Sequence, residues 1–314
     1  MERFPSMSEA ARLTKLQPPA PPVRVVVDTD TYNEIDDQFA LVHALLSPAQ
    51  IEVQAIYAAP FHNVRSGGPG DGMEKSYQEI ERLLDRLDGI VRPPVCRGAT
   101  AYLSSDLHPV MSEAVSDLVQ RTSTGVSNEA AQDNPLYVVA IGAATNVASA
   151  ILANPQIIEH IVVVWLGGHA LHWPHNHEFN LKQDPVAARL LFDCGVPLVH
   201  VPCLGVSSHL STTVPEIEQY VRDCGAIGDY LANIFADLRL AETSWSKVIW
   251  DMAAIAYLIE PELVPTDLVH SPLLTDQFTW SVDRSRHFIR SAWRVHRDPI
   301  FRDLFAKLEA FSQK

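Results

Sequence analysis

The chain has 314 residues, of which 47% are hydrophobic, enough for one large core or two small ones. It carries 24 lysines and arginines against 38 aspartates and glutamates, and this formal charge of −14 argues against binding to polymeric nucleic acid or an anionic membrane. The four cysteines show no CxxC pairing and no apolar run reaches membrane-spanning length, so we expect a cytoplasmic protein with reduced thiols.

The first predicted element is an N-terminal segment, or lead-in, that precedes the folded domain. Residues 1–22 end in a proline-rich, extended stretch, so we expect a flexible N-terminal segment followed by one folded domain over 23–314. Strand-like and helix-like stretches then alternate, which predicts an α/β fold with a mainly parallel, Rossmann-like central sheet flanked by helices. The predicted strands are 23–27, 51–58, 95–98, 136–141, 160–166 and 196–201. The predicted helices are 39–46, 73–87, 110–120, 145–153 and 184–194.

Beyond residue 202 the pattern becomes mainly helical. The apolar spacing predicts three further helices, then antiparallel strands within 268–289 and a closing amphipathic helix over 299–311. The three helices are predicted over 215–222, 226–238 and 247–259. No internal repeat and no long linker interrupts this order, so a single domain is expected.

Acidic residues cluster where the first strand leads into the first helix. Carboxylates this close repel one another unless a cation lies among them, and a hard divalent cation with oxygen ligands is the simplest solution. Helix capping is the alternative, and it accounts for Asp36 or Asp37 but not for Asp28 and Asp30 as well. Open α/β sheets bind ligands at the carboxyl ends of their strands, so we expect the active site at this edge.

Four more motifs follow the acidic stretch in a fixed order. They are Asn63 after the second strand, the Gly-Ala-Ala-Thr-Asn run at 142–146, Glu178-Phe179-Asn180, and Asp251 before an apolar helix. Together with the Asp-Thr-Asp and Asp-Asp pairs, they make residues 23–260 resemble the inosine–uridine-preferring nucleoside hydrolase family. Five ordered motifs are a specific signal, whereas one Asp-x-Asp would be weak.

The resemblance implies a bound Ca²⁺ and hydrolysis of the N-glycosidic bond of ribonucleosides to free base and ribose. By motif, Asp30, Asp37 and Asp251 correspond to the calcium carboxylates, and the backbone carbonyl of Ile141 to a further ligand. Asp30 also corresponds to the general base that takes a proton from a metal-activated water. Exposed apolar positions in the predicted helices suggest subunit contacts, so we expect a homodimer or homotetramer.

The resemblance also implies a set of substrate-binding residues. The set expected to hold the ribose is Asp36, Asn63, Glu178 and Asn180. The family often has an asparagine upstream of Glu-Phe-Asn at variable spacing, and Asn176 and His172 are both candidates for it. The surrounding histidines, His169 to His177, permit two further hypotheses: a zinc site suggested by His175-x-His177, or a contact with base or ribose.

Two departures from the family pattern bear on the site. The loop Thr31–Ile35 has five residues where the common motif has three, so Asn33 and Glu34 either reach the site or form a solvated turn. Trp250 precedes Asp251 where many members have a histidine that protonates the leaving base. A tryptophan face can stack on a purine, which favours purine nucleosides, but plain core packing is the alternative.

Two other functions compete with this interpretation. An aspartate-nucleophile phosphatase also begins with a strand and Asp-x-Asp, but its mechanism gives Asp36 and Asp37 no role. A non-catalytic homologue that binds calcium and ribose is consistent with the longer loop and with Trp250. Release of ribose separates a hydrolase from a binding protein, and release of phosphate would indicate the phosphatase.

Overall fold

The computed structural model describes residues 4–124, 135–238 and 244–313. Its helices and strands alternate along most of the chain, as the hydrophobic pattern predicts. The strands in these residues are β1 Val23–Thr29, β2 Ile51–Ala58, β3 Val95–Arg97, β4 Leu136–Ala140, β5 Ile161–Leu166, β6 Leu198–Val201, β7 Ser211–Thr212, β8 Lys247–Val248, β9 Thr266–His270, β10 Leu273–Leu274, β11 Trp280–Ser281 and β12 Phe288–Ala292. The α-helices in these residues are α1 Glu9–Lys15, α2 Asp36–Leu45, α3 Pro69–Leu84, α4 Glu113–Thr124, α5 Thr145–Ala153, α6 Phe179–Gln183, α7 Pro185–Asp193, α8 Val214–Tyr220, α9 Gly225–Asp237, α10 Met252–Ile259 and α11 Arg297–Ser312.

Eight of the described strands form one sheet in the order β3-β2-β1-β4-β5-β6-β12-β9. All neighbouring pairs are parallel except β12 and β9, which form an antiparallel edge. The expectation of a single α/β domain with a mainly parallel central sheet is therefore confirmed. The antiparallel strands expected near the C-terminus are also present.

The strand β1 separates two apolar cores, one on each face of the sheet. Val25 and Val27 pack into the core that contains α2, α3, α9, α10 and α11, and Val26 packs into the core that contains α5 and α7. This alternation follows from the two-residue period of a strand. Because both faces are covered, β1 consists almost entirely of buried residues.

The strand order reverses beside β1, and this reversal creates the crevice for a site. The chain runs from β1 to β2 and β3 on one side, then crosses back to β4 on the other side of β1. Asp28 at the end of β1 lies opposite Ala140 at the end of β4. The loops that leave these two strands diverge, and a topological switch point of this kind is where open α/β sheets bind ligands.

One predicted helix is wrong in its first part. Residues 247–259 do not form a single helix, because Lys247 and Val248 pair in antiparallel fashion with β7 and the helix α10 begins only at Met252. Single-residue propensities do not reveal a two-residue strand, since its stability comes from a partner far away in sequence. The correction leaves Asp251 directly before the helix rather than inside it.

The N-terminal residues contact the domain. The helix α1 lies within the predicted lead-in, and Leu16, which follows it, is buried in the core that contains α2. The side chain of Arg12 is buried and donates to the backbone oxygen of Gly195. The domain boundary at residue 22 stays a prediction. None of the helices in the described residues is long and apolar enough to cross a membrane.

Candidate active site

The acidic residues meet at the switch point. Asp30 follows β1, Asp36 and Asp37 form the first turn of α2, and Asp251 precedes α10. One carboxylate oxygen from each of Asp36, Asp37 and Asp251 lies within 4.8 Å of the other two. The N-cap position of α2 belongs to Ile35, and Asp251 makes no capping hydrogen bond, so helix capping does not account for these side chains.

Asp30 is the member of this group with the least satisfied side chain. It is 1% exposed, and neither of its carboxylate oxygens has a hydrogen-bond partner among the described residues. Burial raises the pKa of Asp30 well above its ordinary value, and the charges of Asp37 and Asp36 raise it further. A buried carboxylate without donors is costly unless a proton or a cation neutralises it. The oxygen-rich donor set therefore fits a hard divalent cation.

Like charges dominate the electrostatics of the whole cluster. Burial raises the pKa of Asp37 to about 8, with Asp36 as the next contributor, although Asp37 accepts a hydrogen bond from Thr29. Burial also raises the pKa of Asp251, and the charges of Asp36 and Asp37 add to this shift. Burial and mutual repulsion therefore disfavour the charged forms of these carboxylates.

Asp28 has a different role from Asp30, although only Thr29 lies between them. Its Oδ1 accepts a hydrogen bond of 2.7 Å from Asn146 Nδ2, which ties the end of β1 to α5. Burial raises the pKa of Asp28 to about 7, and it does not line the cavity described below. Asn146 also accepts from the backbone nitrogen of Ala99 at 2.7 Å and donates to the carbonyl of Ala58 at 3.2 Å. Asn146 thus connects the ends of three neighbouring strands, β1, β2 and β3.

The end of β4 is packed against Asp30. A Cβ atom on Gly142 would lie 3.0 Å from Asp30 Cγ, so the glycine lets the two loops approach closely. The backbone carbonyl of Ile141, the predicted further ligand, accepts a hydrogen bond of 3.1 Å from Asn180 Nδ2. The second hydrogen of this amide goes to the carbonyl of Leu166 at 3.0 Å. The side-chain oxygen of Asn180 is thereby turned away from both carbonyls.

Glu178 is held by backbone donors at the start of α6. Its Oε2 accepts from the nitrogens of Gly168 at 2.8 Å and Leu181 at 2.9 Å, and its Oε1 accepts from the nitrogen of Asn180 at 2.8 Å. Burial raises the pKa of Glu178, whereas these hydrogen bonds oppose the shift. The carboxylate is therefore fixed in orientation before any ligand arrives.

The longer loop Thr31–Ile35 lies on the opposite side of the site. Asn63 Nδ2 donates to Asn33 Oδ1 at 2.7 Å, and Glu34 forms an ion pair with Lys247 on β8. The charge of Lys247 lowers the pKa of Asp36, although burial raises this pKa more strongly. Asn33 and Glu34 thus reach the site rather than forming a turn that faces only solvent.

These groups line one cavity of about 380 Å³. Every predicted metal-binding residue lines this cavity, and so does every predicted substrate-binding residue except Asn176. The lining residues are Asp30, Asn33, Glu34, Asp36, Asp37, Asn63, Ile141, Leu166, His169, His175, His177, Glu178, Phe179, Asn180, Cys203, Leu204, Trp250 and Asp251.

Asn176 is the one predicted substrate-binding residue that does not line the cavity, and its part in substrate binding stays a prediction. Asn176 is completely buried, and its side-chain oxygen accepts a hydrogen bond of 2.8 Å from the backbone nitrogen of His169. Its side-chain nitrogen is buried and has no hydrogen-bond partner among the described residues. The other candidate at this position, His172, does not line the cavity either.

The histidine cluster does not assemble a zinc site. Among the described residues, the acidic trio is the group of side chains whose ligand atoms converge, and the histidines are not part of it. His169 is 4% exposed, and burial lowers its pKa to about 4, so its ring is neutral at physiological pH. His175 and His177 line the cavity with ring centroids 5.2 Å apart.

Five residues at the site are not predicted from the sequence: Leu166, Phe179, Cys203, Leu204 and Lys247. Lys247 falls in a predicted helix. Phe179 has a signal, because it lies between Glu178 and Asn180 in the Glu-Phe-Asn motif. Cys203 and Leu204 follow β6, so the general rule that ligands lie after parallel strands could have included them.

A mainly parallel sheet with a buried acidic cluster at its switch point defines an α/β enzyme with a cation-binding site. The sequence profile of the family described as inosine-uridine preferring nucleoside hydrolase matches residues 25–296, and the chain belongs to this family. The expectation of a nucleoside hydrolase is thereby confirmed, and the phosphatase alternative loses its support. The family is metal-dependent, and the acidic cluster fits that property.

Known relatives extend the likeness over most of the chain. A pyrimidine-specific ribonucleoside hydrolase from Salmonella typhimurium is 30% identical over 276 residues, which cover 77% of this chain and 81% of the relative. A purine-preferring ribonucleoside hydrolase from Gardnerella vaginalis has a similar solved structure, with a TM-score of 0.72, 21% identity, and coverage of 92% of this chain and 99% of that one. A plant nucleoside hydrolase has a TM-score of 0.72, 20% identity, and coverage of 92% and 100%.

Proposed function

We propose that this protein is a calcium-dependent hydrolase of the N-glycosidic bond of ribonucleosides, with a preference for purine nucleosides, that releases free base and ribose. The observation that carries the proposal is Asp30, a buried carboxylate with no hydrogen-bond partner among the described residues, beside three converging carboxylates in one cavity. Structural carboxylates find donors, whereas this group is arranged to receive a ligand.

The residues that would hold Ca²⁺ are Asp30, Asp37 and Asp251, together with the carbonyl oxygen of Ile141. All four line the cavity, and all offer the oxygen atoms that hard cations prefer. Asp36 also converges with Asp37 and Asp251, so it contributes negative charge at the same place. When bound, Ca²⁺ would supply charge that orients sugar hydroxyls and lowers the pKa of a coordinated water.

The carboxylates of the chain serve the reaction in two ways. Cleavage of the N-glycosidic bond builds positive charge on the ribosyl ring, which nearby carboxylates stabilise. Asp30, as general base, takes a proton from the attacking water onto one of its unpartnered oxygens. The water attacks directly, without a covalent intermediate, so the configuration at the anomeric carbon is inverted.

Four side chains are proposed to hold the ribose. The fixed orientation of Glu178 and Asn180 suits this part, because neither has to reorganise when the sugar binds. Contacts that tighten as the sugar ring flattens would raise kcat rather than only lower KM. The proposed set is Asp36, Glu178 and Asn180, which would contact the sugar, together with Asn63, which acts through the neighbouring Asn33.

Trp250 supports the preference for purines. It lines the cavity and is only partly buried, so a face of the indole is available for stacking on a base. The name of the Salmonella relative favours pyrimidine nucleosides as the second candidate. A purine offers two fused rings for stacking where a pyrimidine offers one, and this difference decides our choice.

The test is a nucleoside panel assayed for reducing sugar. Purified protein should release ribose from inosine and guanosine faster than from uridine and cytidine. Chelation should abolish the release, and added Ca²⁺ should restore it. Faster hydrolysis of uridine would overturn the purine preference, and full activity in chelator would overturn the calcium dependence. A protein that binds inosine without releasing ribose would be the non-catalytic homologue.

The remaining expectations also stay predictions. We expect a cytoplasmic protein that forms a homodimer or a homotetramer, and sedimentation analysis of the purified chain measures the association state directly.

A further inference from the structure

The longer loop brings an additional amide to the cavity. Asn33 belongs to the loop Thr31–Ile35, and its side chain lines the cavity together with Asp30, Asp36 and Asn63. Its backbone nitrogen donates to the carbonyl of Asp30 at 2.7 Å, which forms a tight turn directly after the acidic residue. Asn33 therefore lies between the metal-binding carboxylates and Asn63.

The orientation of Asn63 is fixed by backbone groups. Its Oδ1 accepts from the backbone nitrogen of Arg65 at 2.8 Å, and its Nδ2 lies 3.3 Å from the backbone carbonyl of Asn33. A backbone nitrogen can only donate and a carbonyl can only accept, so the oxygen and nitrogen of this amide cannot be exchanged. The nitrogen of Asn63 must consequently face Asn33.

This orientation determines what each amide has left to offer. Both hydrogens of Asn63 Nδ2 are directed at Asn33, one to the backbone oxygen and one to Oδ1 at 2.7 Å. The oxygen of Asn33 therefore faces Asn63, and no described residue accepts a hydrogen bond from Asn33 Nδ2. Asn63 has no donor left for a ligand, whereas Asn33 has two.

The loop is held on both sides of Asn33. The guanidinium of Arg65 donates to the carbonyls of Tyr32 at 3.4 Å and Glu34 at 3.3 Å, and it lies 5.8 Å from the centre of the Tyr32 ring. On the other side, Glu34 forms its ion pair with Lys247. A side chain on a loop fixed in this way loses little entropy when it binds a ligand.

We infer that Asn33 is a substrate-binding residue of this enzyme, whose amide nitrogen donates a hydrogen bond to a ribose hydroxyl oxygen, and that Asn63 acts by positioning Asn33. This inference rests on the proposed function, because it assumes that the cavity binds a nucleoside. A hydroxyl oxygen is the matching acceptor, since the neighbouring carboxylates of Asp30 and Asp36 accept from hydroxyls but cannot donate to them when ionised.

The test compares variants on substrates that lack one hydroxyl. We would measure kcat/KM for inosine, 2′-deoxyinosine and 3′-deoxyinosine with the wild type, Asn33→Ala, Asn63→Ala and the double variant. Asn233→Ala serves as the control, because it removes an exposed amide on α9. In the Asn33→Ala variant the backbone bond from Asn63 and both contacts of Arg65 remain, so calcium-induced stabilisation should stay at the wild-type level.

The inference predicts a loss that depends on the substrate. Asn33→Ala should reduce kcat/KM for inosine by about 10-fold or more, and by less than about 3-fold for one of the two deoxynucleosides. The double variant should lose no more than Asn33→Ala alone, because Asn63 acts through Asn33. Equal losses on all three substrates, no loss on any, or additive losses in the double variant would overturn the inference.

A binding measurement separates this inference from the proposed function. Calorimetric titration of the three nucleosides into Asp30→Asn, with and without Asn33→Ala, gives dissociation constants that do not depend on turnover. If the wild type releases no ribose but the binding constants show the same dependence on one hydroxyl, hydrolysis is overturned and the part of Asn33 stands. If Asp30→Asn saturated with Ca²⁺ binds the three nucleosides with no effect of Asn33→Ala, the inference falls. Ribose release without any effect of Asn33→Ala overturns the inference alone.

Discussion

Two buried aspartates, Asp30 and Asp184, show how the same side chain can serve the site or the fold. Each is 1% exposed. Asp184 caps α7 by accepting from the nitrogen of Ala187 at 2.8 Å, and it also accepts from the nitrogen of Leu103 at 2.9 Å and the hydroxyl of Thr145 at 2.7 Å. Asp30 accepts no hydrogen bond from any described residue.

The groups around the two aspartates have opposite effects on the pKa. Burial raises the pKa of both, but the hydrogen bonds of Asp184 oppose the shift, whereas neighbouring carboxylates reinforce it at Asp30. The donors around Asp184 offset the cost of burying it and join α7 to two other parts of the chain. Asp30 has no such compensation, so its burial is explained by a ligand. Donor supply, and not burial, distinguishes Asp184 from Asp30.

The largest expected effect comes from Asp30→Asn. Removal of the general base should reduce kcat for inosine by at least about 10³-fold. Because the amide also removes one charge from a repelling cluster, the variant in chelator at pH 9 should unfold at a higher temperature than the wild type. Circular dichroism follows the unfolding, and Asp267→Asn, an exposed carboxylate on β9, is the matched control. Wild-type kcat in Asp30→Asn would refute the assignment of the base.

Asp184→Asn should lower the stability of the fold, whereas Asp30→Asn in chelator should raise it. An amide can accept from fewer of the three donors, and its NH₂ group would face the nitrogens of Leu103 or Ala187. We expect a loss of about 2 kcal/mol in the free energy of unfolding, since buried donors would be left without partners. Urea denaturation at fixed Ca²⁺ measures this loss. A stability equal to that of the wild type would remove the distinction between the two aspartates.

The smallest expected effect concerns Trp250, which lines the cavity but is not part of the acidic cluster. Trp250→Ala should reduce kcat/KM for inosine by about 10-fold and for uridine by less, because loss of stacking costs more for the larger base. The affinity for Ca²⁺ should not change. Trp250→Phe retains an aromatic face and should recover part of the loss. Equal losses on inosine and uridine would indicate that Trp250 serves only packing.

The sequence was sufficient to predict the centre of the site. The apolar strand before Asp28 and the helical spacing after Asp37 place the acids at a strand end, and alternation of elements predicts the parallel sheet. These features depend on local patterns of hydrophobicity and charge. Except for Asn176, the expected site residues from Asp30 to Asp251 consequently reach one cavity, although they are far apart in the chain.

The remaining features depend on contacts between distant segments. Nothing local indicates that Asn63 uses its donors on Asn33, or that Lys247 joins a short strand and pairs with Glu34. Asn176 matches its motif by residue type, yet it does not line the cavity and its side-chain oxygen accepts from the backbone nitrogen of His169. Side-chain direction follows from tertiary packing, and spacing along the sequence does not specify it.

Calorimetric titration of Ca²⁺ into the metal-free protein measures whether the acidic cluster binds this cation. We expect one ion per chain, bound more weakly at pH 6 than at pH 8.5, because burial raises the pKa of Asp37 to about 8 and protons then compete with the cation. Asp30→Asn should bind at least about 10-fold more weakly, whereas Asp267→Asn should bind like the wild type. Unchanged binding in Asp30→Asn, or an affinity independent of pH, would show that the acidic cluster is not the calcium site.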